Sequence, residues 1–228
     1  MTHFVLPRIG PMALLADSQL LFGGDKGEQL SQWVGGQVAA RQTANAIKKA
    51  VYIGASNGNA IEFYLMATDI CRQWGIESVE HVKNINQLTA LSVEDIAVVI
   101  LAGGDVAVGW GFLSLPSVRR WLDNYTQSNG LIIGISAGAI HLASAFSKDY
   151  GRSECFLEYC SANIAAHEEQ EGWPSVCLWQ QCADDAQSLY IGLPFGGGML
   201  VEQNATKLKE SRPIGKGYRV FEKYTPII

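Results

Sequence analysis

The sequence predicts an α/β fold: a mostly parallel β-sheet with helices on both faces and short antiparallel strands near the C-terminus. Apolar segments alternate with segments of helical periodicity over the first 145 or so residues, as in repeated βα units. The apolar segments are continuous, which is typical of parallel strands that are buried on both faces. Gly-rich turns follow several of them, so any site is expected at the carboxyl edge of the sheet.

The first part of the chain alternates predicted strands with predicted helices. The strands are apolar segments that end in small or polar residues, at 12–22, 51–56 and 78–82. The helices are rich in helix formers or carry apolar residues at helical spacing, at 30–50 and 61–74. A loop or a short helix is predicted at 84–91.

The clearest strand is at 96–102, where four of seven apolar residues are β-branched. Gly103-Gly104-Asp105 ends it, a turn-rich apolar stretch is predicted at 106–115, and a helix at 117–125. Beyond about residue 145 the pattern becomes polar and then mixed. Three short strands are predicted there as an antiparallel edge or extension of the sheet, at 189–193, 198–202 and 218–222.

Composition limits the classes of function. The 228 residues, 48% of them hydrophobic, suit one packed domain spanning 1–228. The net charge of −5 without a Lys/Arg cluster argues against nucleic-acid binding. The apolar stretches are too short for a membrane span, and the N-terminus lacks a signal-peptide pattern, so a cytoplasmic protein with no membrane partner is expected.

The five cysteines predict free thiols, because their count is odd and no secretory signal is seen. Two pairs, Cys155/Cys160 and Cys177/Cys182, share a C-x4-C spacing that allows a metal site as the alternative. Structural zinc usually uses closer pairs, so buried small hydrophobes are the preferred interpretation. No metal and no cofactor are therefore expected.

A candidate nucleophile lies at 131–143, LIIGISAGAIHLA. An apolar strand leads into Gly134-Ile135-Ser136-Ala137-Gly138, a G-x-S-x-G match, and a helix can start directly after it. This strand, tight turn and helix form the pattern of a nucleophile elbow, in which strain exposes the serine Oγ. The alternative is an ordinary tight turn with a buried serine.

A serine nucleophile needs a base and an acid that orients the base. His167 is the preferred base, because it lies in a loop after a possible strand; a solvated loop histidine is the alternative. His3, His81 and His141 are less suitable, and His141 is expected to be structural. Asp149 is the preferred acid, and the alternatives are Glu154, Glu158 and Glu202.

An oxyanion hole needs two N–H donors that point at one position. The amide of Ala137, directly after the nucleophile, is one candidate. The amide of Gly104, in the turn after the strongest strand, is the second, since glycine allows close approach of a substrate to the backbone. An ordinary glycine turn is the alternative for Gly104.

Together these motifs resemble the peptidase E and cyanophycinase family of serine peptidases. The resemblance rests on the Gly-Gly pair after an apolar strand, the G-x-SAGA block at 134–139 and a histidine about thirty residues later. It covers most of the chain from about residue 12.

The resemblance implies a flavodoxin-like three-layer sandwich related to class I glutamine amidotransferases, with serine in place of their cysteine. It implies hydrolysis of a small peptide or isopeptide next to an aspartyl residue, through an acyl-enzyme. Ser136 would attack the carbonyl, His167 would move the proton, the Gly104 and Ala137 amides would stabilise the oxyanion, and Asp149 would match the family's acid. The oligomeric state stays open, with a homodimer as one alternative.

The chain departs from the family around the histidine and in the late turn. The sequence after His167 is Glu-Glu-Gln-Glu without a nearby arginine, and Pro194-Phe195 replace an acidic residue. An acidic loop would repel an aspartyl substrate. A basic substrate group and a catalytically degenerate binding or regulatory protein therefore stay open as alternatives. An α/β-hydrolase esterase is disfavoured, because that class places its histidine near the C-terminus.

Overall fold

The computed structural model describes residues 9–41, 49–148, 152–182, 189–202 and 211–221. Its strands are Met12–Leu15 (β1), Lys49–Ile53 (β2), Ser78–Val82 (β3), Ile96–Leu101 (β4), Leu131–Ile135 (β5), Ala145–Lys148 (β6), Arg152–Cys155 (β7), Asn163–Ala166 (β8), Tyr190–Leu193 (β9), Gly197–Val201 (β10), Arg212–Gly215 (β11) and Arg219–Phe221 (β12). Its α-helices are Gly24–Arg41 (α1), Ile61–Gln73 (α2), Ile85–Thr89 (α3), Val106–Leu113 (α4), Pro116–Gln127 (α5), Ala137–His141 (α6) and Pro174–Cys182 (α7).

A seven-stranded sheet in the order β11-β10-β1-β5-β4-β2-β3 lies at the centre of the fold. The five strands from β1 to β3 in this order are mutually parallel, whereas β10 pairs antiparallel with β1 and β11 antiparallel with β10. The predicted α/β class, a mostly parallel sheet with helices on both faces and antiparallel strands at the edge, is confirmed.

Apolar side chains form a separate core on each face of the sheet. On one face, buried residues of α1 and α2 pack against the strands, including Leu30, Val34 and Ile70. On the other face, residues of α3, α4, α5 and α6 do so, including Leu88, Leu122 and Ile140. The connection after β1 leaves on the first face and the helix after β5 lies on the second. The carboxyl ends of these two neighbouring strands therefore flank a topological switch point, where α/β folds bind ligands.

Two smaller sheets lie beside the central one. In one, β8 pairs parallel with β9, and β9 antiparallel with β12. In the other, β6 and β7 form an antiparallel pair. Ile164 and Ala166 of β8 belong to the core on the α6 side, so this strand delivers the chain that follows it to the carboxyl edge of the central sheet.

Several predicted boundaries were wrong. The first helix begins at Gly24, ends at Arg41 and does not reach Ala50, which is fully buried in β2 opposite Val98. The stretch predicted to be turn-rich is helix α4, because Asp105 caps it by accepting a hydrogen bond from the Val108 amide at 2.8 Å. The hairpin β6-β7, helix α7 and strand β11 were not predicted. Of the late strands, β9 joins β8 instead of the central sheet.

The Arg41 guanidinium connects three segments at the amino edge of the sheet. It donates to the carbonyl oxygens of Ile96 at 2.9 Å, Val93 at 2.9 Å and Ser128 at 2.6 Å. It also lies over the Tyr125 ring, 4.9 Å from the centroid. One side chain thus fixes the end of α1 against the start of β4 and the loop before β5.

We predict that Arg41→Ala lowers the free energy of unfolding by about 2–3 kcal/mol, because it removes several hydrogen bonds worth roughly 0.5–1.5 kcal/mol each. Arg72→Ala is the matched control, since Arg72 forms only an exposed ion pair with Asp69 and should change stability by less than about 0.5 kcal/mol. Urea unfolding measures both. Equal losses for the two variants would contradict the anchoring role of Arg41.

Candidate active site

Ser136 lies on a strained turn between β5 and α6. Its backbone has φ 49° and ψ −112°, a region that residues with a side chain rarely adopt. Such a conformation costs on the order of 1–3 kcal/mol and persists only when the surrounding structure enforces it. The predicted nucleophile elbow has this geometry: strand, strained serine, helix.

Close backbone packing enforces the turn. The Ser136 amide donates to the Leu15 carbonyl at 2.8 Å, which ties the turn to the neighbouring strand β1. A Cβ on Gly138 would overlap the Leu101 carbonyl, and a Cβ on Gly134 would lie 2.7 Å from the Gly138 carbonyl oxygen. The two glycines of the motif are therefore required by contact with the backbone of β4 and α6.

His167 meets Ser136 at the carboxyl edge of the sheet. It directly follows β8, and its amide donates to the Leu193 carbonyl at 2.7 Å. Its Nε2 lies 2.8 Å from Ser136 Oγ, a hydrogen-bond distance. The two residues that the sequence proposed as nucleophile and base are thus in direct contact, although they are 31 positions apart in the sequence.

The two candidate oxyanion donors belong to the start of α6 and to the turn after β4. Ala137 is the first residue of α6, so its N–H has no partner within the helix. Gly104 follows β4 with φ 137°, and a Cβ there would overlap the Ser56 carbonyl. At the adjacent Gly103, a Cβ would lie 3.2 Å from Ser136 Cβ, so the glycine pair lets the end of β4 approach the serine.

The candidate acids are placed differently. Asp149 lies outside the described residues. Glu202 lies at the opposite edge of the sheet, where its carboxylate accepts hydrogen bonds from the Trp33 indole at 3.0 Å and from Arg212 at 2.6 Å. Glu158 is exposed, and Glu154 lies in β7 opposite Phe146. Within the described part of the chain, no carboxylate bonds to a ring nitrogen of His167.

The glutamates that follow His167 have structural roles. Glu168 accepts from the Ser175 amide at 3.0 Å and from the Ser175 hydroxyl at 2.5 Å, at the start of α7. Glu169 accepts from the Phe195 amide at 3.0 Å through Oε1, whereas its Oε2 is buried without a partner. These two carboxylates fix the loop of His167, and Glu171 in the same loop is exposed.

His141 has the structural role that the sequence predicts. It is fully buried, its Nε2 lies 2.8 Å from the Val106 carbonyl oxygen, and it contacts the rings of Trp110 and Phe156. Burial lowers the pKa of His141, although the Val106 carbonyl and the Asp105 carboxylate act in the opposite direction. His141 therefore stays neutral beneath the elbow.

Among the described residues, four cysteines are free thiols, and the expectation that they are buried is wrong for two of them. Cys71 and Cys160 are buried, Cys155 and Cys177 are exposed, and burial raises the pKa of both buried thiols to about 12. No group of three or more His, Cys, Asp or Glu side chains is arranged to hold a metal ion in the part of the chain that the structure describes. Likewise, none of the described helices is long and apolar enough to cross a membrane.

A cavity of about 360 Å³ opens beside Ser136 and His167, and the sequence did not predict it. Asp17 and Asn57 contribute to its lining from the segments that follow β1 and β2. Their position directly after two parallel strands was the available signal, because such residues meet at the carboxyl edge. Part of the apolar lining comes from α2, whose sequence only indicates an amphipathic helix.

No protein-family model matches the chain, and no curated protein matches it by sequence. Solved structures do share its fold. A peptidase from an acI-B1 Actinobacterium superposes with a TM-score of 0.72 at 16% sequence identity, over 96% of this chain and 93% of its own. A protein from Listeria monocytogenes EGD-e, named as a candidate peptidase E, gives 0.55 at 13% identity, over 94% and 98%. The peptidase E-like fold implied by the resemblance is confirmed.

We predict that Gly138→Ala destabilises the protein by about 1–3 kcal/mol, the usual cost of overpacking, because the new methyl group meets the rigid Leu101 carbonyl. Gly111→Ala is the control: a Cβ there meets nothing within 4 Å in helix α4, so it should stabilise by about 0.5–1 kcal/mol. Thermal unfolding measures both. Neutral behaviour of Gly138→Ala would show that the elbow relaxes.

The lowered pKa of His141 predicts a loss of stability at acidic pH. Below the ordinary histidine pKa of about 6.5, the unfolded chain binds a proton at this position and the folded chain does not, so stability falls as the pH falls. An NMR titration of the His141 ring should give a midpoint below about 6.5 in the folded protein. A midpoint at or above this value would contradict the prediction.

Proposed function

We propose that this protein is a serine peptidase that hydrolyses a small peptide or an isopeptide through an acyl-enzyme. The observation that carries the proposal is the 2.8 Å contact between Ser136 Oγ and His167 Nε2, with the serine on a strained strand-to-helix turn. A nucleophile within hydrogen-bond reach of a base is the recurring arrangement of nucleophilic catalysis. The peptidase names of two proteins that share the fold support the same class of reaction.

In the proposed mechanism, Ser136 Oγ attacks the scissile carbonyl carbon while His167 Nε2 accepts the hydroxyl proton. The amides of Ala137 and Gly104 donate hydrogen bonds to the oxyanion that forms. His167 then protonates the leaving amine, and the C–N bond breaks. A water molecule, deprotonated by His167, attacks the acyl-enzyme and releases the acid with the free serine.

The orienting acid is part of the proposal. Asp149 is the candidate that the resemblance supplies, and it lies outside the described residues. Ser–His pairs also work with less support from an acid, since loss of the triad acid leaves residual catalysis in serine proteases. We therefore propose Asp149 as a positioning residue for His167 and assign the bond-making steps to Ser136 and His167.

The second candidate is a catalytically degenerate binding protein on the same fold. It is favoured by one observation: no carboxylate of the described residues orients His167. Labelling by a small fluorophosphonate separates the two candidates, because only an activated serine reacts. A degenerate protein would leave Ser136 unlabelled although it binds peptides.

We predict that Ser136→Ala and His167→Gln each lower kcat by at least about 10³-fold, because each removes a partner of one proton transfer. Fluorophosphonate should label the wild-type protein at Ser136 and label neither variant. Asp149→Asn should lower kcat by about 10²–10⁴-fold.

The controls use residues of similar type outside the proposed chemistry. Ser92→Ala and Glu94→Gln, at two exposed positions just before β4, should leave kcat and labelling within about twofold. Unchanged melting temperatures would exclude unfolding as the cause of any loss. Hydrolysis that persists in Ser136→Ala would overturn the proposed mechanism.

A further inference from the structure

The cavity beside Ser136 extends between helix α2 and the sheet. Sheet residues form one wall, among them Tyr52, Ile100 and Ile133. Residues of α2 and the turn after it form the other, among them Met66, Ile70 and Trp74. The volume of about 360 Å³ lies within the range of small-molecule sites, roughly 300–1,000 Å³.

The lining is predominantly apolar and holds no cation from a lysine or arginine among the described residues. Its carboxylate is that of Asp17, which accepts hydrogen bonds from the amides of Gln19 at 2.7 Å and Gly196 at 2.5 Å. A carboxylate entering this cavity would lose its hydration, meet a like charge and find no counter-charge. Burial of an unpaired charge is strongly unfavourable, so an acidic side chain does not fit.

The mouth of the cavity carries exposed aromatic rings. Phe22 and Phe63 are 53% and 50% exposed, and Phe195 is 45% exposed, although all three line the same opening. Each ring leaves apolar area in water that a bound apolar group would cover. The opening is therefore suited to an apolar group on its way into the cavity.

His167 lines the mouth of the cavity beside Ser136, and the deep part of the cavity extends away from it on the α2 face of the sheet. His167 arrives with β8, whose Ile164 and Ala166 pack into the core on the α6 side. The deep cavity residues Tyr52, Ile70 and Ile133 belong to the core on the α2 side. In the proposed mechanism the leaving amine lies near His167, which protonates it. The acyl half of the substrate is therefore the half that is directed toward the deep part of the cavity.

We propose that the cavity binds a large apolar side chain of the residue that donates the scissile carbonyl. The preferred substrates are then peptides with phenylalanine, leucine or a similar residue directly before the cleaved bond, and aspartyl peptides are poor substrates. This inference rests on the proposed serine peptidase function and adds its specificity. The side chain of the acyl half is then selected by apolar contacts with the cavity and not by an ion pair.

The test is a matched series of aminomethylcoumarin amides of Phe, Leu, Ala and Asp, each with a free and an acetylated amino group. The value of kcat/KM for the Phe and Leu amides should exceed that for the Asp amide by at least about 100-fold. It should exceed that for the Ala amide by at least about 10-fold, since one methylene in an apolar pocket already gives about 10–200-fold. Equal rates or a preference for Asp would overturn the inference.

Variants of α2 connect the preference to the cavity. Ala67 lines the cavity, and the larger side chain in Ala67→Trp should fill part of it. The value of kcat/KM for the Phe amide should therefore fall at least about 10-fold, whereas that for the Ala amide should change less than about 3-fold. Leu65→Trp is the matched control, because Leu65 is exposed on the same helix and does not line the cavity. Equal effects of the two variants on the Phe amide would contradict the assignment.

A second variant keeps the inference testable if Ala67→Trp fails to fold. Met66 lies at the partly exposed mouth, where Met66→Arg is tolerated more easily and supplies the missing cation. The ratio of kcat/KM for the Asp amide to that for the Phe amide should rise at least about 10-fold. An unchanged ratio would overturn the inference.

Fluorophosphonate labelling separates the two levels of failure. A protein labelled at Ser136 that hydrolyses the Asp, Ala and Phe amides equally retains the proposed function and refutes the apolar specificity. A protein that is neither labelled nor active refutes the proposed function, and the specificity with it.

Discussion

The backbone of Ser136 is the constraint on which the site depends. A serine at φ 49° is unfavourable by itself and has to be held by its neighbours. The Leu15 carbonyl holds it from β1, and the Leu101 carbonyl leaves room only for a glycine at 138. These groups belong to strands on both sides of β5, so the geometry of the elbow depends on the neighbouring strands of the parallel sheet. The strain is thus balanced by the packing of the whole sheet.

Ser136 also lies between the two faces of the sheet that contribute to the candidate site. Ser136 lies where the chain after β1 leaves toward one face and the chain after β5 toward the other. His167 comes from the α6 side and the apolar cavity from the α2 side. The two meet at Ser136, where His167 itself contributes to the lining of the cavity. The elbow is fixed by backbone contacts, whereas the pocket is lined by side chains of the sheet and of helix α2.

The sequence predicted the parts of the site that have a local cause. A strand, a small-residue turn and a helix identify Ser136, and the Gly-Gly pair identifies the end of β4. His167 was also found, since it follows a short apolar segment that is strand β8. Helix α4 was missed because Gly109 and Gly111 indicate turns. In the fold Gly109 is required by contact, since a Cβ there would lie 2.6 Å from the His141 ring. The glycine at 109 is thus explained by packing within helix α4's surroundings and not by a turn.

The acidic loop after His167 has a structural role that local sequence did not predict. Three glutamates lie within five residues of His167, and two of them, Glu168 and Glu169, accept hydrogen bonds from Ser175 and Phe195 and fix that loop. The donors to Glu168 lie seven residues later at the start of α7, and the donor to Glu169 lies 26 residues later, after β9. In the proposed specificity, the lining of the cavity adds to any repulsion by the loop in selecting against an acidic substrate. An apolar wall without a counter-charge excludes a carboxylate through the cost of dehydration, and this exclusion is screened by salt much less than repulsion at the surface would be.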